Sequence, residues 1–568
     1  MSATTNTRPD KNSSLPPSKE RIDDDDAPAV GGAGGSPAGA LLPPRVGIEY
    51  LPHQEEGVRW MVAREAIGAE ICRGGILADD MGLGKTFQTI GLIKNGGGGA
   101  EGVKTLIVCP PALMAGWLEE LRACGFFVSF LKSVTKWLGD DEKPAGAGPT
   151  VWLTTYPKAD AYRKCRLGSL RGEDKYFWDR VVLDEGHAIR NGKACSRWWA
   201  ALAFAKYAER RWILSATPVQ NGVRDWENLC MFLHTKGVRR GNYAEVGAAI
   251  MLRRTMSELR SVIAELPPPP RFITHDLSIP EGGREERLFR ALCDQLQSAV
   301  DSRAVSALIK LELYMRIQQF LVHPQIYIEA MREKFRGAYP RPDWTDTATK
   351  WSAAMEQLEI AVHERIPTIV FCNFRTEMDK VRAAAEAMGA KVWSVRGGMT
   401  AEAIGAAVSE ARTVATKELA DGEEREAVVF VCQIVSGGVG LNLQFCRRIL
   451  FLSQHWNPAV VHQAVGRAVR IRQKAVVDVH MFRVVDDVMD NLDRRMVQIH
   501  LRKIAAAKEV CLSLYEGYAP LREEAFVSED LAPVGGIRND LTEEESESEE
   551  DLSDSETDPA TEEDPSPV

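Results

Sequence analysis

The sequence predicts an α/β protein: two parallel-sheet lobes with helical insertions, flanked by disordered termini. Three observations carry this prediction. Short apolar runs of strand length alternate with helical stretches in two separate blocks, the pattern of parallel sheets covered by helices. At 568 residues the chain is too long for one core. Its two ends are polar and biased in composition.

Residues 1–45 are rich in Ser, Pro, Gly and Asp, with an acidic run Asp23–Asp26, and are expected to be disordered. The first lobe is placed at 46–270. Its expected strands are Gly74–Ala78, Thr105–Cys109, Val151–Thr155, Val181–Leu183 and Trp212–Ser215, with a helix over Thr86–Lys94. Gly96–Gly99 reads as a flexible loop, and Pro267–Pro270 ends the unit. Residues 271–350 read as a linker and helical insertion, with Leu288, Leu292, Leu308, Leu311 and Ile317 as its core. The second lobe is placed at 351–510, with strands Thr368–Cys372, Lys391–Val395, Val428–Cys432 and Arg448–Leu452. From Leu501 to Glu529 the pattern is amphipathic or irregular. Residues 511–568 form a C-terminal extension with a disordered acidic tail.

Composition is ordinary for a globular protein, 45% hydrophobic and 26% charged. No apolar run approaches a membrane span, so no membrane partner is expected. The N-terminus has no cleavable apolar segment, which predicts an intracellular protein. The eleven cysteines are scattered without a CxxC pair, which argues against a zinc ribbon. Cys109, Cys372 and Cys432 fall in strand-like runs and read as small reduced hydrophobes. From Asn539 onward the tail holds fourteen acids and no base, so the formal charge of −10 becomes +4 without it. A mildly basic folded part is compatible with a nucleic-acid partner. The tail fits a solubilising extension or a segment that binds a basic partner.

Two motifs point to chemistry. Asp79-Asp80-Met81-Gly82-Leu83-Gly84-Lys85-Thr86 lies between an apolar strand and a helix. A glycine-rich turn there presents backbone N–H groups to phosphates. Gly82 and Gly84 permit close approach, Lys85 supplies charge for the β/γ-phosphates, and the Thr86 hydroxyl is placed for magnesium. Asp79 stands where the strict pattern has Gly. About a hundred residues later, Val181-Val182-Leu183 runs into Asp184 and Glu185. Acids at the C-terminal end of a parallel strand sit where ligands bind. Asp184 suits magnesium, and Glu185 suits a water activated for phosphoryl transfer. Together the motifs imply a nucleoside triphosphatase.

The series of motifs resembles the Snf2 family of superfamily 2 ATPases over roughly residues 48–505. Leu51–Met61 (LPHQEEGVRWM) is similar to the family's opening motif, and the resemblance implies that Gln54 reads the adenine. Thr105–Leu121, Val151–Pro157, Leu183–Asn191, Leu214–Asn221 and Thr368–Phe374 resemble motifs Ia, Ib, II, III and IV. Val435–Gln444 resembles motif V, and His455–Gln473 motif VI with its lead-in. The resemblance implies two RecA-like lobes, ATP with Mg2+ as cofactors, and Arg467 and Arg470 as arginine fingers. Their spacing of three predicts one face of a helix, and a guanidinium stabilises the phosphoryl transition state. Ser215, Thr217, Gly438, Gly440 and Gln463 are the implied coupling residues. Thr154, Thr155, Asn191, Trp456 and Asn457 are the implied contacts to nucleic acid. The short basic cluster Lys236, Arg239 and Arg240 is exposed in pattern and reads as a solvated loop, with contact to a phosphate backbone as the alternative.

The implied partner is double-stranded DNA, with nucleosomes or other DNA-bound protein as the load, in the nucleus or, for a virus-encoded member, the viral factory. The expected activity is DNA-stimulated ATP hydrolysis with translocation on the duplex. A strand-separating helicase and a non-hydrolysing scaffold are the alternatives. The chain departs from the family pattern at Arg472, where Gly is usual, at Ser453 and His455, where acids are usual, and in a shortened protrusion between Leu233 and Met251.

Overall fold

A computed structural model describes residues 41–45, 47–66, 71–96, 103–130, 150–166, 178–302, 304–418, 424–437, 441–485 and 492–515. The expectations for the N-terminal segment, the acidic tail, Gly97–Gly99, Gly438 and Gly440 lie outside these residues.

The first lobe is built on seven strands: β1 (Gly74–Leu77), β2 (Thr105–Cys109), β3 (Phe127–Phe130), β4 (Thr150–Thr155), β5 (Trp178–Asp184), β6 (Ala208–Leu214) and β7 (Met251–Leu252). Their spatial order is β3-β4-β2-β5-β6-β1-β7, with every pairing parallel. Parallel strands covered on both faces read as continuous apolar runs rather than alternating ones. Accordingly β1, β2 and the Val181–Asp184 stretch of β5 are buried at every residue. The second lobe has six parallel strands: β8 (Arg271–Leu277), β9 (Thr368–Cys372), β10 (Lys391–Val395), β11 (Val428–Gln433), β12 (Arg448–Phe451) and β13 (Asp478–Val484). Their order is β10-β11-β9-β12-β13-β8.

Strands β3, β7, β8 and β13 were not among those expected from sequence. β8 corrects the expected linker, because Arg271–Leu277 pairs along its whole length with β13. Its solvent-facing pattern hid it: no residue of β8 is fully buried. Helices Arg284–Asp301, Ala307–Val322 and Pro324–Lys334 follow, as expected for an insertion. Leu288, Leu292 and Ile317 are buried there, but Leu308 is 67% exposed and Leu311 half-buried. Leu308 lies in the first turn of its helix, where Ile309 is exposed as well.

Each large apolar side chain buried in these layers contributes about 1.5–3 kcal/mol. One apolar cluster runs without a break from Ile76 and Leu183 of the first lobe to Phe371 and Phe451 of the second. Val510, Leu514 and Tyr515, beyond the final helix Leu492–Lys508, belong to it as well. Ten of the eleven cysteines are free, nine of those ten buried. No helix among the described residues is long and apolar enough to cross a membrane.

Candidate active site

Three neighbouring strands aim three loops at one cleft. β5, β6 and β1 lie side by side, and the acids, the Ser215–Thr217 turn and the glycine turn leave their C-terminal ends. The helix Lys85–Asn95 starts directly after Gly84, which sits at φ +84°; Gly82 lies at φ +85°. These left-handed conformations need glycine and turn the backbone toward the helix N-terminus. Lys85 Nζ donates to the carbonyls of Asp79 (2.7 Å) and Asp80 (3.2 Å). Burial pulls its pKa down, opposed by the charges of Glu185, Asp79, Asp80 and Asp184. An amine among four carboxylates and held by two carbonyls is poised to exchange those bonds for a stronger anion.

Asp184 is fully enclosed. Burial, with Glu185 beside it, pushes its carboxyl up to about 7. Its Oδ1 accepts from the Glu185 amide at 3.0 Å and its Oδ2 from the Trp117 indole at 2.6 Å. Glu185 adopts φ 49°, an uncommon conformation for a residue with a side chain. Such strain concentrates at functional sites. Glu185 Oε2 is buried, makes no hydrogen bond, and lies 3.4 Å from His187 Nδ1. Burial lowers His187 to about 4, so its ring is neutral at physiological pH. The same Nδ1 is 3.1 Å from Ser215 Oγ.

The second lobe closes on this surface. A Cβ placed on Gly82 would meet Arg470 Cα at 3.3 Å, and one on Gly466 would meet the Met81 side chain at 3.1 Å. Burial lowers Arg467 to about 9, with Arg470 adding to the effect, while Glu185 and Asp184 oppose it. Arg470 is lowered by burial to about 10, opposed by Glu185. Both guanidiniums therefore stay charged at neutral pH, within the field of the two acids. Their local structure corrects the expectation of a helix face. Helix Pro458–Val465 stops at Gly466, and Arg467 and Arg470 lie on the following turn. There the Arg467 and Ala468 amides bond back three residues, and Arg470 Nε donates to the Gly466 carbonyl.

Hydrogen bonds tie the lobes around the cleft. Gln463 Nε2 donates to Thr217 Oγ1 at 3.4 Å, and Asn457 Nδ2 to Gln220 Oε1 at 2.8 Å. The Arg472 amide donates to the Glu265 carbonyl at 2.9 Å. Tyr515 OH donates to the Val219 carbonyl at 3.1 Å. Arg253 bonds Asp80 Oδ1, the Ala78 and Ala216 carbonyls, and the Ser513 carbonyl.

Several expected site residues are placed elsewhere. The Asp79 side chain is fully buried and turned from the cleft. It is gripped by Arg254 Nε at 3.0 Å and Nη2 at 2.6 Å, with Gln88 at 3.0 Å. The Leu83 side chain is core, and Met81 packs under Gly466. Gln54 is buried, its Oε1 accepting from the Leu51 amide and its Nε2 donating to the Leu83 carbonyl. Thr86 is half-buried at the start of its helix. Among the expected nucleic-acid contacts, Thr154 and Thr155 are 1% and 5% exposed at the end of β4. The Trp456 ring is buried edge-on to Tyr314, with centroids 5.5 Å apart. Asn457 caps helix Pro458–Val465 and makes the cross-lobe bond. These four side chains are buried against neighbouring elements. Asn191 is half-buried, and Lys236, Arg239 and Arg240 are exposed.

Trp117, His187, Gln220, Arg253 and Arg254 escaped the reading of single motifs. Trp117, His187 and Gln220 sit inside named motifs, and Arg253 and Arg254 directly follow β7, but the role of each is a contact with another element.

The SNF2-related domain family model matches residues 53–269, and the Helicase conserved C-terminal domain model matches residues 349–472. The chain is similar to the "Probable global transactivator" of Orgyia pseudotsugata multicapsid polyhedrosis virus, 28% identical over 81% of this chain and 91% of that one. It is also similar to "Chromodomain-helicase-DNA-binding protein 1-like" of Danio rerio, 24% identical over 76% of this chain but only 41% of that relative's length. Among solved structures, the Sulfolobus solfataricus SWI2/SNF2 ATPase core in complex with dsDNA is 21% identical. That match covers 86% of this chain and 98% of that one, with a TM-score of 0.35. With both family models matched in order, on two parallel-sheet lobes that close over one cleft, the chain belongs to the SNF2-related family of helicase-like ATPases.

Proposed function

We propose that the protein hydrolyses ATP in a duplex-stimulated manner and translocates on double-stranded DNA to displace or remodel bound protein. What carries this reading is the meeting of Lys85, Asp184 and Glu185 from one lobe with Arg467 and Arg470 from the other. Phosphoryl transfer needs charge stabilisation and positioning more than covalent chemistry. Lys85 and the glycine-turn amides bind the β/γ-phosphates, and the two arginines stabilise the charge that develops on the transferred group. Glu185, whose Oε2 makes no hydrogen bond, orients the attacking water. The donor chemistry fits magnesium, because Asp184 and Thr86 offer oxygen ligands to a hard cation that is delivered with the nucleotide. When bound, it neutralises charge on the terminal phosphates.

Coupling follows from the contacts. Glu185, His187, Ser215, Thr217 and Gln463 form a continuous series from the water-activating acid to the second lobe. Asn457 and Gln220 are part of this cross-lobe bridge. A nucleotide that favours closure shifts the lobes by its differential affinity for the closed form. The name of the zebrafish relative supports DNA as the track.

The test is steady-state ATP turnover titrated with duplex, single strand and nucleosome, alongside triplex displacement. Duplex should raise turnover at least tenfold, and Lys85→Ala should abolish it while the fold persists. Turnover indifferent to duplex would overturn the motor reading.

A further inference from the structure

Trp117 lies on the helix Met114–Ala123, which follows β2 through the turn Pro111–Leu113. It is 2% exposed and packs in the apolar layer that holds Leu77, Ile107, Leu153 and Val182. Phenylalanine could supply that packing. What tryptophan adds is one donor, and that donor is committed to Asp184 Oδ2 at 2.6 Å. This is shorter than the usual ~2.9–3.0 Å of a neutral N–H···O bond. The other carboxylate oxygen is held by the Glu185 amide, and Tyr156 OH fixes the Asp184 carbonyl at 2.9 Å. Two donors from separate elements therefore set the carboxylate's rotation. Without the indole, only the neighbouring amide would hold it.

We infer that Trp117 is a positioning residue whose indole N–H holds the Asp184 carboxylate in the orientation that accepts the divalent cation carried by the nucleotide. The inference rests on the ATPase site proposed above. Partners that orient a ligating carboxylate typically change metal affinity by about 10- to 100-fold when removed. Losing this one also strands a buried acceptor.

The experiment measures binding of a fluorescent ADP analogue across a magnesium titration, in the full chain and without turnover. Trp117→Phe removes the donor. Trp226→Phe is the control, because Trp226 is fully buried in the same lobe and its indole N–H makes no hydrogen bond. Trp117→Phe should raise the magnesium concentration for half-maximal enhancement about tenfold or more. Magnesium-free binding should stay unchanged, and Trp226→Phe should titrate as the parent does. Should Trp117→Phe fail to fold, β-(3-benzothienyl)alanine at position 117 keeps the ring shape, lacks only the N–H, and should give the same shift. A parent that binds nucleotide without any magnesium dependence would undermine the ATPase site itself. A normal parent with an unshifted position-117 variant, or an equal shift in Trp226→Phe, would overturn the positioning role alone.

Discussion

Asp79 and Asp80 are adjacent acids at a strand end, both buried and each paired with one of two consecutive arginines. Asp79 is wholly buried, and Arg254 grips both of its oxygens while also bonding the His53 carbonyl and Gln88. Asp80 takes Arg253 on one oxygen and the Met256 amide on the other. The consecutive arginines after β7 therefore clamp the entry to the phosphate loop from both sides. A buried ion pair is weak support for stability as a pair, but removing one partner strands the other's charge, which costs about 3–5 kcal/mol. Arg254→Met should accordingly lower the unfolding free energy in urea by about that amount. Arg254→Met combined with Asp79→Leu should recover most of the loss. A single variant as stable as the parent would mean that Asp79 finds another partner.

At the scale of elements, the segment after helix Leu492–Lys508 returns to the first lobe. Val510, Leu514 and Tyr515 are buried there, Tyr515 bonds Val219, and Arg253 bonds the Ser513 carbonyl. Gly247 on helix Tyr243–Ile250 leaves room for it. A Cβ at that position would stand 2.9 Å from the Val510 carbonyl oxygen, a backbone atom that cannot turn aside. Overpacking of this kind costs about 1–3 kcal/mol. Gly247→Ala should therefore speed amide hydrogen exchange over residues 508–515 by roughly tenfold, while β2 and β5 keep their protection. Equal exchange in both proteins would show that the segment is not held by this contact. The turn after helix Pro458–Val465 makes a similar point about elements. Ending the helix at Gly466 lets Arg467 and Arg470 reach the cleft from a compact turn, where a continued helix would carry them along its axis.

For the molecule as a whole, two sheets and an apolar cluster shared between them make closure a packed state. Its acid sensitivity follows from histidines buried as neutral rings. His500, fully buried, contacts the His455 carbonyl at 2.7 Å, and burial lowers it to about 3. His187, His323 and His480 are lowered to about 4 for the same reason. Above the ordinary histidine value of about 6.5, folded and unfolded forms are both neutral and no stability is lost. Below it only the unfolded chain gains the proton, so stability falls with pH until the folded value is reached. His500 alone should remove about 2 kcal/mol between pH 6.5 and 5. Denaturant unfolding across this range should show the decline, and His500→Gln should make it shallower. A slope unchanged by that substitution would place the acid sensitivity elsewhere.

The sequence by itself determined the two-block α/β plan, the strands buried on both faces, and the stretches that line the proposed nucleotide site. Those features are local: a continuous apolar run, a glycine turn before a helix, acids at a strand end. Tertiary structure decided what each side chain in those stretches meets. Thr154, Thr155, Trp456 and Asn457 are motif residues, yet neighbours from other elements cover them. Strands β8 and β13 are 200 residues apart in the chain, and β8 lacks a buried face of its own, so only its pairing reveals it. Trp117 looks like core in any reading of helix periodicity. Its bond to Asp184 arises because β2 and β5 are neighbours in the sheet, and that adjacency is a property of the folded chain.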